Sequence, residues 1–264
     1  MTQLKQPIGI FDAGIGSYAI VERVHQHFPL QDILYLADRA SFPYGAKSPA
    51  ELLASVSKAA DYLQSQGCGA IILASNAPSI MVLDGLCEVC GIPVIGVFPP
   101  VEEAVKASAS KRVAVLGVKS MVTSEAMQHY VARYRPAGAE VLLINASAMV
   151  DLVENFMFLN NPAETQAQVR AFVTALLDRH PELDVMTLSS THLPWLKPFF
   201  EQAAPHIRFL DPADSVLAQI SPFTLEGRGA IRCVATETAA FPVSEFNTAL
   251  AQLGFAGEAA RITF

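Results

Sequence analysis

The sequence predicts an α/β fold: two facing α/β domains with mainly parallel sheets and an active-site cleft between them. Three observations predict it. Short apolar runs rich in Val, Ile and Leu, each bounded by turn residues, read as strands buried on both faces. Segments with helical periodicity separate them, the alternation that builds parallel sheets. The chain has 264 residues, 52% hydrophobic and 16% charged, which suits two domains of ordinary size with a substantial core.

Taken in order, the strands are Ile8–Asp12, Ile33–Ala37, Ala70–Ala74, Val94–Val97, Val113–Leu116, Val141–Ile144, Val185–Leu188, Ile207–Leu210 and Ala230–Val234. The helical segments are Ser17–His27, Pro49–Gln66, Ala77–Cys90, Pro100–Ala109, Ser120–Tyr134, Pro162–Arg179, Pro194–Gln202 and Pro242–Leu253. Pro49, Pro100 and Pro162 fall at helix starts, where a missing N–H costs nothing. Phe98-Pro99-Pro100 is stiff, follows a strand and marks the domain boundary; a second crossing is expected near Ala204-Pro205. Residues 1–98 with 206–264 then form the first domain, and 99–205 the second. Ligands of open α/β sheets bind at the carboxyl ends of the strands, which places the site in a cleft between the domains.

Composition excludes several classes. A net charge of −7 argues against nucleic acid or an anionic membrane as partner. No apolar run reaches the roughly 18 residues a membrane helix needs. The start, Met1-Thr2-Gln3-Leu4-Lys5-Gln6-Pro7, lacks the apolar core of a signal peptide. The four cysteines suggest no disulfide framework, and a cytoplasmic location follows. Cys87-Glu88-Val89-Cys90 lies in a helical pattern ending at Gly91 and reads as two buried helix cysteines rather than a metal or redox site. His25, His27, His129, His180 and His206 show no metal-ligand spacing, so no metal is expected.

Two strand-to-helix turns carry the chemistry: Ala74-Ser75-Asn76-Ala77-Pro78 and Ser189-Ser190-Thr191-His192-Leu193-Pro194. Backbone N–H groups at such a helix start favour an anion. The alternative at Ser75 and Asn76 is plain helix capping. His192 is suited to carry a proton near neutral pH, or is a satisfied structural residue. No Gly-x-Ser-x-Gly elbow surrounds either serine, which disfavours a hydrolase nucleophile. In Phe11-Asp12-Ala13-Gly14-Ile15-Gly16-Ser17-Tyr18-Ala19, Gly14, Gly16 and Ala19 loosely match a dinucleotide fingerprint with Asp38 downstream, but Asp12 would repel a pyrophosphate. Asp12 instead reads as a helix cap or as a site carboxylate able to accept a proton. The Pro43-Tyr44-Gly45 loop either presents N–H groups to a carboxylate or is an ordinary turn before a capping Ser48.

Together, in order and over nearly the whole chain, these segments resemble the aspartate/glutamate racemase superfamily, and most closely the glutamate racemases. Ile8–Gly16 resembles the family's opening strand and loop, and Leu36–Asp38 through Pro43–Ser48 its second loop. Ile92–Val97 is similar to the strand that ends its first half. Ala74-Ser75-Asn76-Ala77 stands where the family has Ala-Cys-Asn-Thr, and Ser189-Ser190-Thr191-His192-Leu193-Pro194 where it has Gly-Cys-Thr-His-Tyr-Pro. Asp151-Leu152-Val153-Glu154 resembles its acidic segment. The resemblance implies a cofactor-independent two-base proton transfer at Cα of an acidic amino acid, serving peptidoglycan precursor supply. Its partner is a small amino acid or carboxylate, and a homodimer is left open. By position, Ser75, Ser190, Asp12, His192 and Glu154 would be the catalytic set. Ala13, Pro43, Tyr44, Gly45, Asn76, Ala77 and Thr191 would touch substrate.

Both thiols would then be serine, which impairs or alters proton transfer. A serine hydroxyl is a far weaker acid than a thiol and needs a neighbouring base. Ala13, Ala77, Val118, Met121 and Leu193 also depart from the family's polar residues. Engineered replacement would explain only the two serines; natural divergence explains all these positions. Three readings follow: a racemase or epimerase of an acidic amino acid, an isomerase or lyase acting on a less polar carboxylate, and a binding relative without chemistry.

Overall fold

The computed structural model describes residues 4–264; Met1–Gln3, which begin the polar stretch read above as lacking a signal peptide, lie outside the described residues. The chain is an α/β protein of two compact units, Met1–Val97 with Ala213–Phe264, and Phe98–Pro212. The return crossing expected after residue 205 falls instead at Pro212. The strand at Arg208–Leu210 pairs with Val185–Leu188, so its hydrogen bonds belong to the second sheet.

The first unit contains β1 (Ile8–Asp12), α1 (Tyr18–His27), β2 (Ile33–Ala37), α2 (Pro49–Ser65), β3 (Ala70–Leu73), α3 (Asn76–Val89) and β4 (Val94–Gly96). The second contains α4 (Val101–Ala107), β5 (Arg112–Gly117), α5 (Lys119–Val122), α6 (Glu125–Tyr134), β6 (Glu140–Asn145), α7 (Ser147–Glu154), α8 (Met157–Asn160), α9 (Pro162–Arg179), β7 (Val185–Leu188), α10 (Lys197–Ala203) and β8 (Arg208–Leu210). The chain then returns to the first unit with α11 (Ala213–Ile220), β9 (Ile231–Ala235), α12 (Val243–Gln252) and β10 (Ala260–Arg261).

The first sheet has the order β10-β9-β2-β1-β3-β4, and every pairing in it is parallel. Its central strands are buried on both faces, which is why they read as unbroken apolar runs. Removing side chains such as Ile8, Ile10 and Phe11 from water contributes about 1.5–3 kcal/mol each. Ser48 opens α2 with a capping box: its hydroxyl accepts from the Glu51 N–H, and Glu51 accepts from the Ser48 N–H at 2.9 Å. Asp32, just before the interior strand β2, ties down the amino end of the sheet by accepting from the N–H groups of Lys5, Arg228 and Ala230 at 2.8, 2.9 and 3.0 Å.

The second sheet has the order β6-β5-β7-β8, again wholly parallel. Asp184 fixes its entry: it accepts from the Ser108 hydroxyl at 2.5 Å and from the N–H groups of Ala109 and Ser110 at 2.7 and 3.0 Å. The single helix expected over Ser120–Tyr134 is two, because Ser124 restarts it by accepting from the Met127 N–H at 3.1 Å. The reading of two buried helix cysteines is also corrected. The buried face of α3 runs through Val82, Leu83 and Leu86, which leaves Cys87 exposed and Cys90 partly buried. Among the described residues no helix is long and apolar enough to cross a membrane.

Candidate functional site

Each unit brings its singled-out residues to the carboxyl ends of its strands. In the first unit Asp12 closes β1, and the Asp38 N–H donates to the Asp12 carbonyl at 2.8 Å, so both acids lie at one end of adjacent strands. Asp12 is 4% exposed. It does not cap α1, whose N-cap is Ser17. The β1–α1 loop is held internally. The Ser17 hydroxyl donates to the Gly14 carbonyl at 3.1 Å and therefore accepts from Tyr35 at 2.8 Å. Burial, with the charges of Cys233 and Asp12, pushes the Tyr35 phenol well above its ordinary range, so it stays protonated.

Asp38 is fully buried, with Oδ2 accepting from Tyr44 at 3.1 Å and Oδ1 from Thr236 at 2.8 Å. Engaged on both oxygens, it is not placed to grip a ribose, and the dinucleotide reading fails there. The same contacts turn the Tyr44 ring inward. Burial and the charges of Asp38 and Asp12 push its phenol well up. Pro43 and Gly45 are exposed on that loop, whose Ala46 and Lys47 N–H groups are used by the turn itself. Arg39, not singled out in the sequence, donates to the Ala13 carbonyl at 2.7 Å. Its guanidinium lies over Phe42, Phe241 and Phe246 at 4.6, 5.4 and 5.7 Å, so an aromatic cage fixes the backbone beside Asp12.

Ser75 and Asn76 open α3, yet neither side chain caps it. Ser75 is the N-cap by backbone and makes no side-chain capping bond. Asn76, 3% exposed, donates from Nδ2 to the Val97 carbonyl at 3.1 Å, and its Oδ1 is buried with no hydrogen-bond partner. A buried amide oxygen left unpaired costs about 1–3 kcal/mol, which a bound donor such as an ammonium would offset. Ser79 ties this turn to the next strand end, donating to the Ser75 carbonyl at 2.6 Å and accepting from the Val97 N–H at 2.9 Å. Ala13 and Ala77 are buried at 1% and 7% exposure, so only their backbones offer polar groups.

In the second unit Ser190 follows β7, and the segment turns into a short 3-10 helix at Leu193–Leu196. The Leu193 N–H donates to the Ser190 carbonyl at 2.9 Å and the Trp195 N–H to the His192 carbonyl at 3.1 Å. Ser190, Thr191 and His192 are all buried. The Ser190 hydroxyl lies 3.4 Å from Nδ1 of His192, and Nε2 of His192 lies 2.5 Å from Oε1 of Glu154. An ionised carboxylate only accepts, so Nε2 carries the hydrogen, and in the neutral imidazole Nδ1 is then the acceptor facing Ser190. Glu154, the last residue of α7, thus joins a hydroxyl–imidazole–carboxylate chain that neither serine turn announced. Met121 and Leu193, of the same unit, are fully buried. Among the described residues no cluster of three or more His, Cys, Asp or Glu side chains is arranged to hold a metal ion.

The family model described as Asp/Glu/Hydantoin racemase matches residues 18–220. A glutamate racemase of Roseiflexus sp. (strain RS-1) is 33% identical over 236 residues, covering 89% of this chain and 85% of that protein. Another, from Persephonella marina, is 30% identical and covers 84% of each. Among solved structures, Escherichia coli glutamate racemase in complex with L-glutamate and the activator UDP-MurNAc-Ala aligns with a TM-score of 0.83 at 22% identity, over 97% of this chain and 98% of that one. Thermus thermophilus glutamate racemase in complex with β-chloro-D-alanine aligns at 0.76 with 27% identity, over 98% of each.

Proposed function

Because this chain belongs to the Asp/Glu/hydantoin racemase family, we propose that it moves a proton at Cα of a small amino acid or related carboxylate without a cofactor, each unit supplying one acid–base set. The observation that carries this reading is the Glu154–His192–Ser190 chain. As Ser190 takes the Cα proton, its own proton passes to Nδ1 of His192, and the imidazolium so formed is held by the Glu154 carboxylate. In the first unit Asp12 is the proton acceptor beside the Ser75 turn, and the unpaired Oδ1 of Asn76 takes the substrate ammonium.

In this reading Ser75 and Ser190 stand at the positions of the family's two catalytic cysteines. A thiol of pKa about 8.5 exchanges protons readily near neutral pH, whereas a hydroxyl depends on its neighbouring base. Loss of one positioned acid–base group costs about 10²–10⁴-fold, so turnover is slow. It is also asymmetric, since Ser190 has an imidazole at 3.4 Å and Ser75 relies on Asp12. Glutamate is the first substrate to test, because the relatives are glutamate racemases. The family link extends the reading to a cytoplasmic supply of a peptidoglycan precursor.

A second reading, an isomerase or lyase on a less polar carboxylate, is favoured by the buried apolar side chains of Ala13, Ala77, Met121 and Leu193. The test is Cα–H exchange in D2O followed by NMR, starting from each enantiomer of glutamate and aspartate. Exchange that is faster from one enantiomer supports the proposal. Tight binding of either amino acid with no exchange overturns it in favour of a non-catalytic binding protein.

A further inference from the structure

The Cys87-x-x-Cys90 pair is the one motif of the sequence that the proposed function leaves unused. The Cys90 N–H donates to the Leu86 carbonyl at 2.9 Å, so the backbone is still helical where it reaches the Cys90 Cα. Three residues along a helix separate Cα atoms by about 5 Å, within the roughly 4.4–6.8 Å a disulfide spans. Cys87 is exposed and Cys90 half-buried. Gln64 of α2 fixes the turn around the second thiol: its Oε1 accepts from the Gly91 N–H at 3.0 Å and sits 3.9 Å from Cys90 Sγ. Cys87 Sγ lies 3.9 Å from the Val94 carbonyl, a weak contact that leaves the thiol exposed, so the pair is accessible on one member and spaced for closure.

We propose that Cys87 and Cys90 form a vicinal dithiol site that reacts reversibly with small disulfides, closing a Cys87–Cys90 disulfide across the last turn of α3. The exposed Cys87 thiolate attacks one sulfur of a small disulfide such as glutathione disulfide, forming a mixed disulfide and releasing one glutathione. The Cys90 thiolate then attacks Cys87 Sγ and expels the second glutathione. Two protein thiols are oxidised and one glutathione disulfide is reduced to two thiols. The ring closed is only four residues long, so it adds little to global stability; its significance is chemical. Cys68 and Cys233 are internal controls. Both are buried, and burial raises Cys68 to about 12 and Cys233 higher still, so neither is a nucleophile under the same conditions.

Burial and the charges of Asp84 and Cys90 raise the Cys87 thiol above its ordinary value, so the assay uses mildly alkaline buffer. The folded protein is incubated with glutathione disulfide, quenched with acid, unfolded and titrated for thiols, with peptide mass mapping. The wild type should fall from four titratable thiols to two, lose two hydrogen masses in the peptide holding Cys87 and Cys90, keep no glutathione, and recover under dithiothreitol. Cys90→Ser should instead retain glutathione on Cys87. Glutathione retained on wild-type Cys87, a disulfide between two chains, or unchanged thiols would each overturn the proposal. Both cysteines lie outside the apolar core, so the variants fold, which circular dichroism checks.

Discussion

Glu154→Gln isolates the second unit's half of the proposed chemistry while keeping the side chain's shape. The wild-type bond between His192 Nε2 and Glu154 Oε1 spans 2.5 Å, and the two side chains are 9% and 16% exposed, so solvent screens it little. A hydrogen bond to a charged group is worth about 1.5–3 kcal/mol and a neutral one about 0.5–1.5. The substitution therefore withdraws about 1–2 kcal/mol from the imidazolium that forms when Ser190 takes a proton. At roughly 1.4 kcal/mol per tenfold, that is about a 5–30-fold loss of rate. The loss should fall on one enantiomer only, the one deprotonated by Ser190, because Asp12 serves the other. The assay is the Cα–H exchange rate in D2O from each enantiomer, with the thermal midpoint as a check on folding. Equal losses from both enantiomers, or no loss from either, would refute the relay as the source of the base.

Other outcomes follow from the same contacts. Asp32 and Asp184 both sit below the usual carboxylate range: burial pushes each up, but the N–H groups on Asp32 and the Ser108 hydroxyl and loop N–H groups on Asp184 outweigh it. Depressed carboxylates stabilise fully above their unfolded value of about 3.9, and this stability is lost as pH falls through the folded values. Urea midpoints should therefore drop on acidification below about pH 4, and Asp32→Asn or Asp184→Asn should lower the neutral-pH midpoint and flatten that drop. Gly229→Ala should cost about 1–3 kcal/mol in the same denaturation, because its φ is +69° and a Cβ would lie 2.1 Å from the Pro29 carbonyl oxygen. Ser75→Cys with Ser190→Cys should raise exchange without reaching the rates of cysteine-bearing relatives; full restoration would show that Ala13, Ala77 and Met121 do not weaken the grip on substrate.

Much of the fold was legible because burial on both faces leaves one signature. β1, β2 and β7 stand at Ile8–Asp12, Ile33–Ala37 and Val185–Leu188, where apolar runs end at turn residues. What escaped lacked that signature. β10 has two residues, too few for any pattern, and exists because it adds to β9 at the sheet edge. The helices α7 and α11 have start signals, Asn145 accepting from the Ser147 N–H and Asp211-Pro212 before Ala213, but at eight residues each they are too short to show a helical period. Residues 206–210 looked like the start of the return to the first unit because sequence does not show which neighbour a strand pairs with, and β8 pairs with β7.

The two halves of the candidate site differed in legibility for the same reason. A short turn such as Ser190–His192 declares its own contact, since a residue two positions on from a serine reaches its hydroxyl whenever the turn is tight. Glu154 meets His192 only because α7 packs against the short 3-10 helix that follows β7, and no spacing rule joins them. Asp38 is the opposite case: an acid at a strand end suggested ligand contact, but Thr236 and Tyr44 occupy it, and Thr236 arrives through the pairing of β9 with β2. In the proposed reading Glu154 supports proton transfer because its partner can change charge. Asp38 is held by hydroxyls that keep their protons, while Glu154 is held by an imidazole that can gain one. On that reading the Ser190 side, with its imidazole and carboxylate, is the stronger base, and a preference for one enantiomer in exchange is the outcome expected of it.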